Sequence, residues 1–339
     1  EPTAVLPARE AERLLETILG LRARGVGVLY ISHRLEELER IADRLTVLRD
    51  GRTVWSGAAS ALTRAELVRH MVGRTLEAAS ARTAPPPARK SVLRVKGLSA
   101  ARLGLESVEL ELGAGEILGL GGLVGAGRSE LAACLFGLER FDSGSLELAS
   151  ADGSWRAFRP RSPREAIARG LVLVPENRAA DGLVLEASVR ENVALPWLAR
   201  LTRGGWIHAV REQELAQDVI TAMSVKARPD SRAGSLSGGN QQKVALGKWL
   251  VEAPRVLILD EPTQGVDVAG RAEIHARVRE LAHRGVAILL ISSELEELLT
   301  LSERVLVLRR GRVAGTLAGE ALTGERVLAL ALGVAEARA

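Results

Sequence analysis

Apolar positions along the chain fall into a small number of rhythms. In residues 8–24, Leu14, Leu15, Ile18 and Leu21 recur at helical spacing and predict an amphipathic helix. Residues 26–31, 256–261 and 286–291 are short, nearly unbroken apolar runs, the pattern of strands buried on both faces of a parallel sheet. Residues 108–112, 117–120 and 172–174 read as further strands. Residues 45–47 and 52–55 read as a hairpin turning at Asp50-Gly51, and a second hairpin turns at Arg310-Gly311. Helices are expected at 65–71, from Glu130, at 188–198, at 271–283 with Gly285 as cap, and near 326–332. Residues 183–230 break the alternation and look helical throughout, an inserted lobe with its limits near 183–240. Strands alternating with helices predict an α/β fold around a mostly parallel sheet.

The pattern repeats. Residues 1–52 align without gaps on 261–312 at an offset of 260. Glu1-Pro2-Thr3 matches Glu261-Pro262-Thr263, Leu35-Glu36-Glu37-Leu38 matches Leu295-Glu296-Glu297-Leu298, and Val47-Leu48-Arg49 matches Val307-Leu308-Arg309. Residues 1–78 are therefore expected to be the tail of a first copy, poorly stable without its neighbouring strands. Residues 79–91, with Pro85-Pro86-Pro87, form a stiff linker, and residues 92–332 form a second copy. The offset places the first copy's glycine loop before Glu1, so the chain is expected to be a piece of a longer protein.

Three stretches carry chemistry. Gly122-Leu123-Val124-Gly125-Ala126-Gly127-Arg128-Ser129 lies between a strand and a helix opening at Glu130. Its glycines allow backbone N–H groups to wrap a phosphate, and the Ser129 hydroxyl can reach a magnesium ion. The same glycines would also serve a turn that binds nothing. Ser237-Gly238-Gly239-Asn240 looks like a helix start, where bare N–H groups attract an anion. The run from Val256 ends in Asp260-Glu261, two acids at the C-terminal edge of a buried strand, where open α/β sheets bind ligands. An Asp there can hold magnesium, and a following Glu can take a proton from water.

Charge and composition narrow the picture. Of 339 residues, 46 are Lys or Arg and 42 Asp or Glu, a net +4, with no dense basic block of the kind that binds nucleic acid. No apolar run approaches the ~18 residues of a membrane span. Cys134 is the only cysteine, expected as a buried small residue rather than a reactive thiol, and its solitude fits a reducing compartment. Trp197 and Trp206 are expected in a core, and His70, His208, His275 and His283 on the surface.

The second copy resembles the ATP-binding domain of ATP-binding-cassette transporters over its full length. The resemblance rests on the P-loop at Gly122–Ser129, the signature Leu236-Ser237-Gly238-Gly239-Asn240, the strand ending in Asp260, Glu261, and Gly265-Val266-Asp267. The wording GLVGAGRSE, VPENR, LSGGNQQK and DEPTQGVD resembles the second cassette of tandem monosaccharide importers, of the ribose and galactose type. It implies a P-loop cassette with a central mostly parallel sheet, an antiparallel β subdomain and an inserted helical subdomain, preceded by a partial first cassette. It implies ATP and Mg2+ as ligands, with Ser129 and Asp260 on the metal. Gly122, Gly125, Ala126, Gly127, Arg128, Ser129, Glu130, Glu176 and Ser293 would contact nucleotide in one site, and Ser237, Gly238, Gly239 and Asn240 in the other.

The same resemblance implies cassette–cassette pairing, two transmembrane permease subunits, an extracytoplasmic sugar-binding protein, no nucleic acid, and a peripheral place on the cytoplasmic face of the membrane. Several residues depart from the family pattern. Arg128 stands for Lys, Glu176 for Gln, Ser293 for the switch His, and no aromatic lies near Ala100–Arg102 to stack on adenine. The first copy keeps Glu1 and His33. The competent site is therefore expected to join Glu1 and His33 to the signature, while the site with Glu261 and Ser293 binds ATP but turns over slowly. A nucleoside or signalling-sugar importer, and a soluble tandem cassette acting on ribosomes or DNA, are the alternatives.

Overall fold

The computed structural model describes residues 8–32, 35–49, 52–63, 66–67, 70, 89–150, 154–203, 206–266 and 268–334. The chain divides into two compact units, Glu1–Ala78 and Ala79–Ala339. The proline-rich stretch and most of the expected 65–71 helix lie outside the described residues.

In the first unit, α1 (Ala8–Ala23) buries Ala11, Leu15 and Ile18, at the four- and three-residue spacing that puts them on one face. Leu15 and Ile18 pack with Ile41 at the end of α2 (Leu35–Ile41). Strands β1 (Arg44–Arg49) and β2 (Arg52–Ala58) form the expected hairpin, with a bulge at Val47/Leu48. Residues 26–31, expected as a buried strand, form none. Leu29 is 92% exposed and Ile31 66%. Among the described residues of this unit no strand lies beside them, and a strand needs a neighbouring strand for its backbone N–H and C=O groups.

The second unit opens with an antiparallel layer. Strands β3 (Ser91–Ala100), β4 (Leu105–Gly113), β6 (Ser143–Ala149) and β7 (Trp155–Phe158) stand in the order β4-β3-β6-β7. Burial alternates along β4, so Leu105, Val108, Leu110 and Leu112 face the core. The other face carries ion pairs such as Arg94–Glu111 and Lys96–Glu147.

The second layer is a six-stranded sheet in the order β14-β13-β5-β12-β11-β8. Its members are β5 (Ile117–Gly121), β8 (Leu171–Val174), β11 (Val256–Asp260), β12 (Ala287–Ile291), β13 (Arg304–Arg309) and β14 (Arg312–Ala318). All neighbours are parallel except β13 and β14, which form a hairpin. Every residue of β8, β11 and β12 is buried, which is why these strands read as unbroken apolar runs. The β13–β14 hairpin repeats the β1–β2 register position for position, bulge included, at the offset of 260.

Helices α3 (Arg128–Phe136) and α4 (Pro163–Ala168) precede β8. Then come α5 (Val189–Ala194), α6 (Leu198–Leu201), α7 (Ala209–Ala222) and α8 (Gly238–Gly247). Helices α9 (Val268–His283), α10 (Leu295–Leu301) and α11 (Gly324–Leu332) complete the unit. Helix α5 starts with a capping box: the Ser188 hydroxyl accepts from the Glu191 N–H, and the Glu191 carboxylate accepts from the Ser188 N–H. The expected single helix over 188–198 is split, because Pro196 cannot donate an N–H to a continuing helix. The inserted lobe is not helical throughout. Short strands β9 (Thr202–Arg203) and β10 (Trp206–Ile207) pair within it, flanking a Gly204-Gly205 sequence that signals a hairpin. Trp206 is 83% exposed, not in a core. Trp197 is half-buried and donates from Nε1 to the Lys248 carbonyl at 2.8 Å.

Candidate nucleotide site at the sheet edge

Parallel strands β5, β12 and β11 stand side by side, so the segments after them meet at one edge of the sheet. Gly122–Gly127 follows β5, Asp260 and Glu261 end β11, and Ser292-Ser293 follows β12. Glu176 follows β8, one strand further along.

The glycine loop folds tightly because two of its three glycines stand where a Cβ would clash. At Gly122, φ +148°, a Cβ would lie 2.5 Å from the Leu308 carbonyl oxygen. At Gly127, φ +104°, it would lie 2.7 Å from Leu105 Cδ2. Gly311 N donates to the Ala126 carbonyl at 2.9 Å, tying the loop to the β13–β14 turn. Ala126 and Arg128 are buried, Gly125 and Ser129 are exposed, and Glu130 is half-buried in the first turn of α3.

Arg128 points inward. Its Nη1 donates to the Ser292 carbonyl at 2.6 Å, and its Nη2 lies 3.6 Å from Glu261 Oε1. Glu261 has φ +49°, a left-handed conformation unfavourable for a residue with a Cβ. Its N–H donates to the Ile291 carbonyl at 2.9 Å, and Oε2 accepts from Ser293 Oγ at 3.0 Å. Burial pushes the Glu261 carboxyl above its usual range, against the Ser293 backbone and hydroxyl and the Arg128 charge, which pull it down.

Asp260 is 5% exposed, and burial pushes its carboxyl up to about 6. The Ser129 hydroxyl and Arg128 pull it down, while Glu176 and Glu261 add to the rise. Asp260 Oδ1 has no hydrogen-bond partner among the described residues. A buried carboxylate oxygen left open beside a hydroxyl and two further carboxylates suits a hard divalent cation. Glu176 is exposed and accepts from Gln264 Nε2 at 3.2 Å.

A second anchored carboxylate supports this edge. Glu297, 2% exposed on α10, accepts from Thr263 Oγ1 at 2.9 Å and lies 2.8 Å from His275 Nε2. Burial raises its pKa, but His275, Ser292 and Thr263 outweigh that and hold it below the usual range. His275 is therefore not a surface histidine: its side chain is 13% exposed against Glu297. In the first unit the matching Glu37 accepts from Tyr30 and Ser32 hydroxyls at 2.8 and 2.9 Å.

Ser237 caps α8, and Gly238 begins the helix, with Gly239 and Asn240 in its first turn. The Asn240 side chain donates to Ser237 Oγ at 2.9 Å and accepts from Lys226 N at 2.8 Å, which fixes the loop before the helix. The structure thus gathers Gly122–Ser129, Asp260, Glu261 and Ser293 at one edge, and sets Ser237–Asn240 at the start of α8. Glu1, His33 and Asp267 lie outside the described residues. Sequence reasoning gave no role to Thr263, Gln264, His275 or Glu297. The signal for Glu297 was present in the repeated Leu-Glu-Glu-Leu, which carries the same acid in both copies. Cys134 is buried, and burial pushes its thiol up to about 11, as expected of an inert cysteine. Among the described residues no helix is long and apolar enough to cross a membrane.

Comparison with known proteins agrees with this geometry. Residues 105–264 match the family described as ABC transporter. The chain is 50% identical to the ribose import ATP-binding protein RbsA 2 of Rubrobacter xylanophilus, over 98% of this chain and 63% of that protein. It is 43% identical to the ribose import ATP-binding protein RbsA of Bacillus subtilis, over 98% and 66%. The chain thus spans about two-thirds or slightly less of the length of these relatives. Among solved structures, it resembles the dimeric structure of MJ0796, a bacterial ABC transporter cassette, with a TM-score of 0.57 and 20% identity over 67% of this chain and 98% of that one. At that identity the likeness concerns the fold, a P-loop cassette with a mostly parallel sheet, an antiparallel sheet and helices. From the family match and these relatives together, the chain contains an ATPase domain of the ABC transporter family.

Proposed function

We propose that the chain is part of an ATP-hydrolysing subunit that drives import of a monosaccharide, working on the cytoplasmic face of a membrane with two permease subunits and an extracytoplasmic binding protein. The convergence of the glycine loop, Asp260, Glu261 and Ser293 on one sheet edge carries this reading. Relatives named for ribose import supply the substrate class.

ATP phosphates are held by the backbone N–H groups of Gly125–Ser129 and the N-terminus of α3. The residues at the edge fit a magnesium ion: Ser129 and Asp260 would hold it, and it would supply positive charge to the phosphate oxygens. Glu261 is placed to take a proton from an attacking water, and burial raises its basicity. Arg128 and Ser293 both engage that carboxylate, so it is partly neutralised within its own cassette. Ser293 offers no imidazole. These two facts favour slow turnover at the Glu261 site, with hydrolysis in the complete protein assigned to a site using Glu1, His33 and the Ser237–Asn240 signature.

The test uses the full-length subunit in its assembled transporter. His33→Ala is expected to lower ATP hydrolysis by about 10²–10⁴-fold, and Ser293→Ala to change it little. Equal losses from the two substitutions would refute the assignment.

A further inference from the structure

The first turn of α8 has a neighbour in Arg178, the last residue of the stretch VPENR. Arg178 starts a one-turn π-helical segment, Arg178–Gly182, after β8. Its Nη1 donates to the Gln264 carbonyl at 2.7 Å, in the loop after β11. Its Nη2 lies over the start of α8: a Cβ on Gly238 would sit 2.7 Å from Nη2 and 3.0 Å from the Gly265 carbonyl oxygen. A Cβ on Gly265 would sit 3.4 Å from the same nitrogen. So a side chain at Gly238 would displace the guanidinium and press on the Gly265 carbonyl, and the glycine leaves room for both.

Among the described residues no carboxylate lies within ion-pair distance of Arg178. Its planar head is oriented by a backbone carbonyl and by the two glycines, not by an opposite charge. Both ends of the Arg178–Gly182 turn lie against the same helix, and one is bonded to it. At the far end, Lys248 at the C-cap of α8 donates from Nζ to the Gly182 carbonyl. Two residues before Arg178, Glu176 accepts from the Gln264 side chain. The loop after β8, the loop after β11 and helix α8 are thereby linked through residues 176, 178 and 264.

We propose that Arg178 is a positioning residue: its guanidinium fixes the loop after β11 against the first turn of α8, and so sets where Ser237, Gly238 and Gly239 present their N–H groups. The inference rests on the ATPase reading above. A fork with two nitrogens at fixed spacing suits this task, because it can bond a carbonyl with one and pack on a glycine with the other. Arg178 touches no nucleotide in this role; its effect reaches the phosphate through α8.

The experiment compares wild type, Arg178→Met and Arg178→Lys in the full-length subunit within its transporter. Steady-state ATP hydrolysis, binding of a non-hydrolysable ATP analogue and thermal melting are read together. Arg178→Met is expected to lower kcat by about ten- to a hundredfold, the scale of a misplacement near 1 Å, with KM for ATP, analogue binding and Tm close to wild type. Arg178→Lys keeps a cation but loses the fork, and is expected to recover only part of kcat. A kcat for Arg178→Met within twofold of wild type would overturn the inference, as would a rise in KM with kcat unchanged. If Arg178→Met does not fold, Arg178→Lys decides: a reduced kcat at unchanged Tm supports the role, and a wild-type kcat overturns it. A wild type that hydrolyses no ATP overturns the ATPase reading and this inference with it. An active wild type beside an equally active Arg178→Met overturns this inference alone.

Discussion

Replacing Arg128 with Met removes a cation while keeping most of its volume. Arg128 is 9% exposed and Glu261 7%, and the two lie 3.6 Å apart. Without Arg128, Glu261 keeps only Ser293 as a close partner, and the Ser292 carbonyl loses its donor. Removing one member of a buried pair costs about 3–5 kcal/mol when the other stays charged. Glu261 can limit that cost by taking a proton, since burial already holds its pKa above 4.5. The net loss at pH 7 is therefore about 2–4 kcal/mol. A carboxyl whose folded pKa is raised contributes stability that is complete below its unfolded value and is lost as pH rises through the folded value. The substitution raises that folded value further. The gap between variant and wild type is then expected to be smallest, about 1 kcal/mol from the lost carbonyl bond alone, at the acid end where Glu261 is protonated in both, and to widen towards pH 8. Urea titration followed by tryptophan fluorescence measures it, because Trp155, Trp197, Trp206 and Trp249 all lie in the second unit. With a slope of about 3 kcal/mol per molar, the midpoint moves by about 1 M at pH 8. A gap that stays constant from pH 5 to pH 8 would refute the reasoning.

Other expectations follow from buried groups and close contacts. Glu297→Gln should cost about 2 kcal/mol or more at pH 7, because it removes the charged acceptor of Thr263 and His275. The pKa of Glu297 is depressed when folded, so its contribution is present above about 4.5 and fades as pH falls through the lower folded value; melting curves of the wild type and Glu297→Gln, apart at pH 7, should converge as pH is lowered below 4.5. Burial pulls the Lys248 amine down from 10.5 to about 8, so wild-type stability should climb by roughly 3 kcal/mol between pH 8 and pH 10.5. Lys248→Met should lose that climb, as denaturation series across the window will show. Gly311→Ala would place a Cβ 1.6 Å from the Gly104 carbonyl oxygen at φ +75°, and should cost about 3 kcal/mol or more. Gly125→Ala, with open space around it, should cost about 1 kcal/mol; comparing the two melting temperatures checks the contrast.

The parallel strands were legible because β12, and β11 up to Asp260, are apolar without a break, a pattern that burial on both faces enforces. The chemistry at their ends was legible for the same reason, since Asp260-Glu261 and Ser292-Ser293 interrupt those runs at the sheet edge. Residues 26–31 carry the same pattern, yet form no strand among the described residues, because an apolar run states a preference for burial and says nothing about which strands are present to pair with it. Trp206 was misplaced because size and apolarity were read without the hairpin that lifts it into solvent. His275 was misplaced because its polar helical surroundings hide the buried Glu297 that faces it. The role of Arg178 could not be read at all: residues 178, 238 and 264 stand in the separate stretches VPENR, LSGGNQQK and DEPTQGVD, and they meet only after the chain has folded.

The two related acids, Glu37 and Glu297, satisfy the same need by different means. One borrows a phenol from Tyr30, where the later copy has Leu290. The other takes an imidazole from a helix, His275, where the earlier copy has Leu15. Neither exchange is neutral alone. Grafting the helix of one half onto the other would leave Glu297 with Thr263 but no imidazole, or bring an imidazole to an acid already bonded by Tyr30 and Ser32. A chimaera of the halves should therefore be most stable when positions 15 and 30, or 275 and 290, travel together. Drift between the duplicates is constrained to move those sites in step, long after the nucleotide chemistry of the halves has diverged.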